Sequence, residues 1–283
     1  MNVSQGHTVS AAGPLPPIGA PGPSLVGTPA TLAGVTSINK TTYRAPIILV
    51  AGQEKIGKSS LSATLFGFPE PHHQPLVVAV DPSGPDSCLN LGFAVHAIRV
   101  NEMPGSRWFD RTRSAVEIIE RNISNVRQQY GSLVIDCGST LSYRLLEDAR
   151  RTSKNPDPRS HYQTMYTQFN ELWWRLADLD FPVVWLAWAG EPGMNDSGAT
   201  ELAAPDIAGK RFARTIAGRS MHNFILEKRF VGKGAQGADQ HGYGRFLHTV
   251  AWNGQNAGGR FSHLLPEPCP ADLSYILRTV RGQ

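Results

Sequence analysis

Cysteine is scarce. The 283 residues hold three, Cys88, Cys137 and Cys269, and none sits in a C-x-x-C pair. That excludes a disulfide framework or a zinc knuckle as the organising feature, and it fits a reducing compartment. Long hydrophobic runs are missing as well: nothing approaches about 18 consecutive apolar residues, which excludes a membrane-spanning helix. No apolar segment follows a basic start, which speaks against a secretory signal, so a cytoplasmic location is expected. Charge of either sign is absent from Met1 to Asn39, where Pro and Gly recur instead. Such a stretch cannot bury enough apolar surface to offset its ordering entropy. Residues 1–42 therefore read as a disordered Gly/Pro-rich tail, or as a tether for a partner. No internal repeat is evident.

What is present suffices for one sizeable domain over residues 43–283. Hydrophobic residues make up 41% of the chain and charged residues 18%, which argues against global disorder. The net charge of +4 permits nucleic-acid contact without demanding it.

From Arg44 onward strand and helix patterns alternate. Ile47 to Val50, Leu76 to Val80, Ala94 to Val100, Leu133 to Ile135 and Pro182 to Leu186 are short apolar runs of the buried-strand type. Val116, Ile119, Ile123, Val126 and Tyr130 step by three and four, which predicts an amphipathic helix. Tyr162 to Leu176 marks another, with Trp173, Trp174 and Trp185 most simply in the core. Alternation of this kind implies an α/β fold, a mostly parallel sheet with helices on both faces. Beyond Ala204 the pattern changes. Met221 to Phe230 and Arg245 to Trp252 read as a C-terminal β-hairpin at the sheet edge around a Gly-rich loop, and Ala271 to Val280 as a closing helix.

The sharpest motif is Gly52-Gln53-Glu54-Lys55-Ile56-Gly57-Lys58-Ser59, followed by Ser60, with an apolar strand before it and a helix after. It matches the phosphate-binding loop G-x-x-x-x-G-K-[ST] in full. Glycines let the backbone wrap so that its N–H groups point at phosphate oxygens, and a helix N-terminus adds positive potential. In such loops the lysine, here Lys58, reaches the β and γ phosphates, and the hydroxyl, here Ser59, ligates Mg²⁺. The ion also needs a carboxylate at the end of a neighbouring strand. Asp136, closing Leu133 to Ile135, supplies one, or else caps the next helix. Asp81 closes Leu76 to Val80 in the same manner. If that strand adjoins the phosphate-loop strand, Asp81 lies where ligands bind and orients water or the metal. Otherwise it serves the turn Asp81-Pro82-Ser83-Gly84.

Several families share this loop. A regulatory GTPase needs Asn-Lys-x-Asp and Asp-x-x-Gly, and neither is present, since Asp136-Cys137-Gly138 puts Gly one place early. No Arg-rich lid of a small-molecule kinase is convincing, and that class stays open as a third alternative. The chain resembles instead the RecA-like P-loop ATPases. The resemblance rests on Gly52 to Leu61 with Glu54 third, on Leu133 to Asp136 with small residues and Leu141 after it, and on Tyr162 to Leu176 leading into Pro182 to Trp188. Its ending, with Pro205 to Lys210, a hairpin, Ala257 to Arg260 and a last helix, is similar to phage-encoded nucleotide-binding proteins of that superfamily, among them Sak-type single-strand-annealing recombinases. The resemblance covers residues 43–281 and implies ATP and Mg²⁺ as cofactors, single-stranded DNA as partner, and a homo-oligomeric ring or filament. Two places depart from it. Where these enzymes carry a water-activating Glu, this chain has Ser83, and where they carry a γ-phosphate-sensing Gln or His it has Trp188. Both departures weaken hydrolysis more than binding. Glu54 and Asp86 are candidate substitutes, and a non-hydrolysing assembly module is the alternative.

Residues 205–263 contain nine Lys or Arg against three acids. Such a stretch suits a phosphate backbone, with Tyr243 or Phe246 to stack bases, or forms a solvated basic face. The loop from Ala189 to Ala204 has acids and no Lys or Arg, which argues against phosphate contact there. Arg260 either reaches the γ phosphate, within the chain or from a neighbouring subunit, or is a plain surface residue. His72 and His73 lie in a Pro-rich turn and show no metal spacing.

Overall fold

The computed structural model describes residues 45–194, 200–235 and 238–281. The expected tail, residues 1–42, lies outside the described residues. The elements run β1 (Ile47–Gly52), α1 (Lys58–Leu61), β2 (Gln74–Ala79), α2 (Asp86–Leu89), β3 (His96–Arg99), α3 (Trp108–Arg121), α4 (Ile123–Gln129), β4 (Tyr130–Asp136), α5 (Gly138–Thr152), α6 (Pro158–Asp178) and β5 (Val183–Ala189). The short strands β6 (Gly193–Met194), β7 (Thr200–Glu201) and β8 (Pro205–Asp206) follow, then α7 (Lys210–Arg219), β9 (His222–Phe230), β10 (Tyr243–His248), β11 (Gly258–Gly259), β12 (Cys269–Pro270) and α8 (Leu273–Arg281).

The main sheet has the order β12-β10-β9-β1-β5-β4-β2-β3, with β11 on β9 and β8 on β5. The six strands from β9 to β3 are mutually parallel, and β10 turns back antiparallel on β9. Its strands are apolar on both faces because both are covered. One face packs on α3, α5, α6 and α7, where Trp173 stacks on Trp185 at 4.9 Å and Phe169 lies 5.3 Å from the same indole. The other face, with Val50, Val184 and Leu226, packs on α1, the 3-10 turn Ser62–Leu65 and α8. This is the α/β arrangement expected of a RecA-like P-loop protein, C-terminal hairpin included.

Several expectations are corrected. The apolar stripe of Val116 to Tyr130 is two helices, broken at Asn122, whose side-chain amide donates to the Ile118 carbonyl; Tyr130 already belongs to β4. Neither β2 nor β4 adjoins β1, whose neighbours are β5 and β9, so Asp81 and Asp136 lie three strands and two strands away. The hairpin strand β9 is interior, beside β1, and not at an edge. Trp174 is half-exposed, under the Arg219 guanidinium, and only Trp173 and Trp185 are core. α5 and α7 are two further amphipathic helices: α5 buries Leu141, Leu145, Leu146 and Ala149, and α7 buries Phe212, Ala213, Ile216 and Ala217.

Candidate functional site

The loop from Gln53 to Gly57 leaves the carboxyl end of β1 and enters the short helix at Lys58. Lys55 and Gly57 take positive φ, 57° and 102°. The φ of Gly57 favours glycine, and the Arg245 guanidinium lies within 2.7 Å of where a Cβ would stand. Lys58 is buried, and its Nζ donates to the carbonyls of Gly52 (2.8 Å) and Gln53 (2.6 Å). Burial lowers the pKa of the Lys58 ammonium, against the opposing pull of Cys137, Asp136 and Glu54. Gln53, Glu54 and Lys55 are exposed, and Ile56, Ser59 and Ser60 are partly buried, so the loop presents an open rim to a ligand.

Asp136 is brought to this loop although its strand is not adjacent. Its carboxylate is buried, hydrogen-bonds the Ser59 side chain and faces the charges of Asp81 and Lys58. Its pKa is pushed up to about 6, first by burial and further by Asp81, with the Ser59 bond and Lys58 pulling it back down. The amide N–H groups of Val80 and Asp81 donate to the Asp136 backbone carbonyl at 2.7 and 3.0 Å, which ties the ends of β2 and β4 together. A desolvated carboxylate beside a second carboxylate and a hydroxyl is an arrangement that a divalent cation relieves, so these residues fit Mg²⁺. Among the described residues no group of three or more His, Cys, Asp or Glu side chains could hold a metal. Ser59 and Asp136 would hold the ion only with phosphate oxygens and water completing its shell.

Asp81 is engaged in its turn: Oδ1 accepts the Ser83 amide at 3.0 Å and the Ser83 hydroxyl at 2.8 Å. The turn role of Asp81 is therefore the one its contacts show, although its charge still acts on Asp136. Trp188 is tied into packing. Its amide donates to Ser139 Oγ at 2.8 Å, its ring stacks on Tyr143 at 6.2 Å, and it pairs with Asp206 of β8. Asp86 pairs with Arg99 at 3.5 Å.

Arg260 is corrected. Its amide donates to Met221 O at 3.0 Å, just before β9, and the preceding Gly259 pairs with His222. That is the amino end of the sheet, opposite the carboxyl end where β1 delivers the phosphate loop, so Arg260 cannot reach a phosphate bound in its own chain. The residue that sequence reasoning missed is Arg245 on β10. Its Nε donates to the Ile56 carbonyl at 3.1 Å, and its guanidinium lies against Gly57. No motif marks it, because the contact spans 189 positions.

The basic stretch is dispersed. Arg245 is on the loop, Arg260 at the far edge, Arg219 on Asn170 and Trp174, and Lys228 paired with Asp239 at 3.2 Å. The hairpin keeps an aromatic and cationic surface: Phe230 and Tyr243 are exposed and meet edge to face at 5.6 Å. Lys228 lies over Tyr243 at 4.9 Å and Arg229 over Phe246 at 4.1 Å. His72 and His73 stack on each other at 4.2 Å, as a turn pair with no metal geometry.

No family model matches the chain. No curated protein matches it either. Among solved structures it is similar to a KaiC-like protein from the archaeon Pyrococcus horikoshii OT3, at 12% identity and a TM-score of 0.40 over 77% of this chain and 83% of that one. It is also similar to the RadB recombinase, at 12% identity and a TM-score of 0.42 over 79% and 85%. A third likeness is to an ATPase from the type III secretion system of pathogenic bacteria, at 9% identity and a TM-score of 0.46 over 78% and 58%. No helix among the described residues is long and apolar enough to cross a membrane.

Proposed function

We propose that this chain binds Mg·ATP on Gly52 to Ser60, hydrolyses it, and acts on single-stranded DNA in recombination, annealing or replication. The phage-encoded, Sak-type resemblance, a cytoplasmic location in the host cell and assembly into a ring or filament belong to the same proposal. The observation that carries it is the meeting of Lys58, Ser59 and Asp136 at one loop. When nucleotide binds, Lys58 exchanges its carbonyl partners for phosphate oxygens, and loop N–H groups take the remainder. Bound Mg²⁺ would neutralise developing phosphate charge. Asp136 and the Ser59 hydroxyl would hold it, with Asp81 as the acid on the water side. The exposed pair Phe230 and Tyr243, flanked by Lys228 and Arg229, supports the single-strand reading, since every base has a face to stack.

The test is ATP hydrolysis by the purified protein with Mg²⁺, with and without single-stranded DNA, at two salt concentrations. Turnover raised by DNA, with an affinity for DNA that falls steeply with salt, is the expected result. A second reading, a nucleotide-gated binding module without turnover, is favoured by one observation: Ser83 stands where a water-activating Glu is expected, and it occupies Asp81. Tight ATP binding without turnover in either condition would select it.

A further inference from the structure

Beside the phosphate loop lies a buried polar cluster that the reading so far leaves without a task. His248 of β10 is 3% exposed. Its Nδ1 is 2.6 Å from Oε1 of Glu267, and its Nε2 is 2.9 Å from Oε2 of Glu227. The ring stacks on Trp252 at 4.2 Å and 9°. The imidazole thus bridges the two carboxylates, one at each ring nitrogen.

The two glutamates differ. Glu267 is saturated, because its Oε2 also accepts the amide and the hydroxyl of Thr249 at 2.6 and 2.7 Å. Glu227 has Arg229 Nη1 as a further neighbour at 3.8 Å, and it faces a cleft of about 140 Å³. Gly52, Gln53, Ala189 and Trp252 line that cleft with it. Gly52 and Gln53 are the residues whose carbonyls hold Lys58 Nζ. Ala189 ends β5, the strand next to β1. The parallel register pairs Ala51 with Ile225, which brings Glu227 level with the start of the loop. Among the described residues Glu227 is the one acid lining this cleft, and Asp81 is bonded to Ser83.

We propose that Glu227 is the general base of the hydrolysis, in place of the carboxylate missing at Ser83, and that His248, held by Glu267, positions it. Water attacks the γ phosphorus, a new O–P bond forms, and the bond from that phosphorus to the bridging oxygen breaks. The water proton passes to the Glu227 carboxylate and ADP leaves as an oxyanion beside Lys58. This inference rests on the hydrolysing reading above.

The test measures ATP affinity and steady-state kinetics on wild type, Glu227→Gln and Glu227→Asp. General-base catalysis contributes about 10²- to 10⁴-fold. Glu227→Gln should therefore lower kcat about 100-fold or more, with ATP affinity and KM within about threefold of wild type. Glu227→Asp, with its carboxylate withdrawn, should keep part of that turnover. His248→Gln, acting through position alone, should lower kcat about tenfold at constant KM. A Glu227→Gln turnover within threefold of wild type would overturn the proposal, as would a loss confined to ATP affinity. If Glu227→Gln does not fold, wild-type kcat in Glu227→Asp overturns it equally. Wild type that binds ATP without hydrolysing it overturns this inference and leaves the nucleotide site standing. Wild type that binds no nucleotide overturns both.

Discussion

Arg245 Nε donates to the carbonyl of Ile56 at 3.1 Å, so the C-terminal hairpin grips the phosphate loop from outside. The carbonyl it holds is not a phosphate ligand, which makes Arg245 a positioning residue. A hydrogen bond from a charged donor is worth about 1.5–3 kcal/mol when buried and less at this half-buried site. Arg245→Ala should weaken nucleotide affinity by roughly threefold to tenfold, in line with about 1 kcal/mol. Titration calorimetry with ATP would show it, and unchanged affinity would make the contact incidental.

Lys58→Ala should abolish nucleotide binding and leave the circular dichroism spectrum and melting profile intact. Lys58 donates to the carbonyls of Gly52 and Gln53, and the gain from those bonds is offset by the cost of desolvating its ammonium, so its removal should change stability little. Retained ATP affinity in this variant would remove the site assignment.

Gly84 lies directly on Asp136: a Cβ on Gly84 would collide with Oδ2 and Cγ of that carboxylate. Gly84→Ala should therefore push Asp136 away from Ser59. The expected result is a loss of the Mg²⁺ dependence of nucleotide binding, about tenfold or more, with stability changed by about 1–3 kcal/mol as in other overpacked sites. A Mg²⁺ titration at fixed ATP separates the two effects.

His222 is fully buried, with its ring stacked on Phe224 at 4.3 Å and on Phe261 at 6.4 Å. Burial lowers its pKa to about 4 from a usual value of 6.5. Above pH 6.5 both the folded and the unfolded chain carry it neutral, and nothing is lost. As pH falls from 6.5 towards 4, the unfolded chain takes up a proton that the folded chain refuses. Stability should therefore drop by up to about 3 kcal/mol across that window from this group. Urea midpoints at pH 7.5 and pH 4.5 measure it, and His222→Phe should flatten the difference.

Asp148 of α5 is 1% exposed and accepts the amide N–H groups of Trp108 and Phe109, the first turn of α3, while also pairing with Arg151. It satisfies donors that the helix itself cannot and places negative charge at a positive helix end. Asp148→Ala should destabilise the fold by about 2 kcal/mol, the sum of a lost cap and stranded donors. Chemical denaturation would register this, and nucleotide affinity at permissive temperature should not change.

The parts of this protein whose physics is local can be read from its residues alone. The loop Gly52 to Ser60 was legible because each of its residues acts within one turn: glycines for backbone freedom, Lys58 for charge, Ser59 for a hydroxyl. The parallel strands were legible because burial on both faces demands unbroken apolar runs such as Val183 to Leu186. Asp136 was legible as a carboxylate closing such a run. The remainder follows from strand order, which emerges only when the chain is folded. Local patterns carry no record of which strands adjoin, so the separation of β1 from β2 and β4 was invisible, as was the interior place of β9. That same order sends Arg260 to the far edge and brings Arg245 and Glu227 to the loop, across 189 positions in the case of Arg245. A basic stretch in sequence became four separate surroundings in space, because neighbours along a chain diverge wherever a strand ends and the sheet sets the next contact.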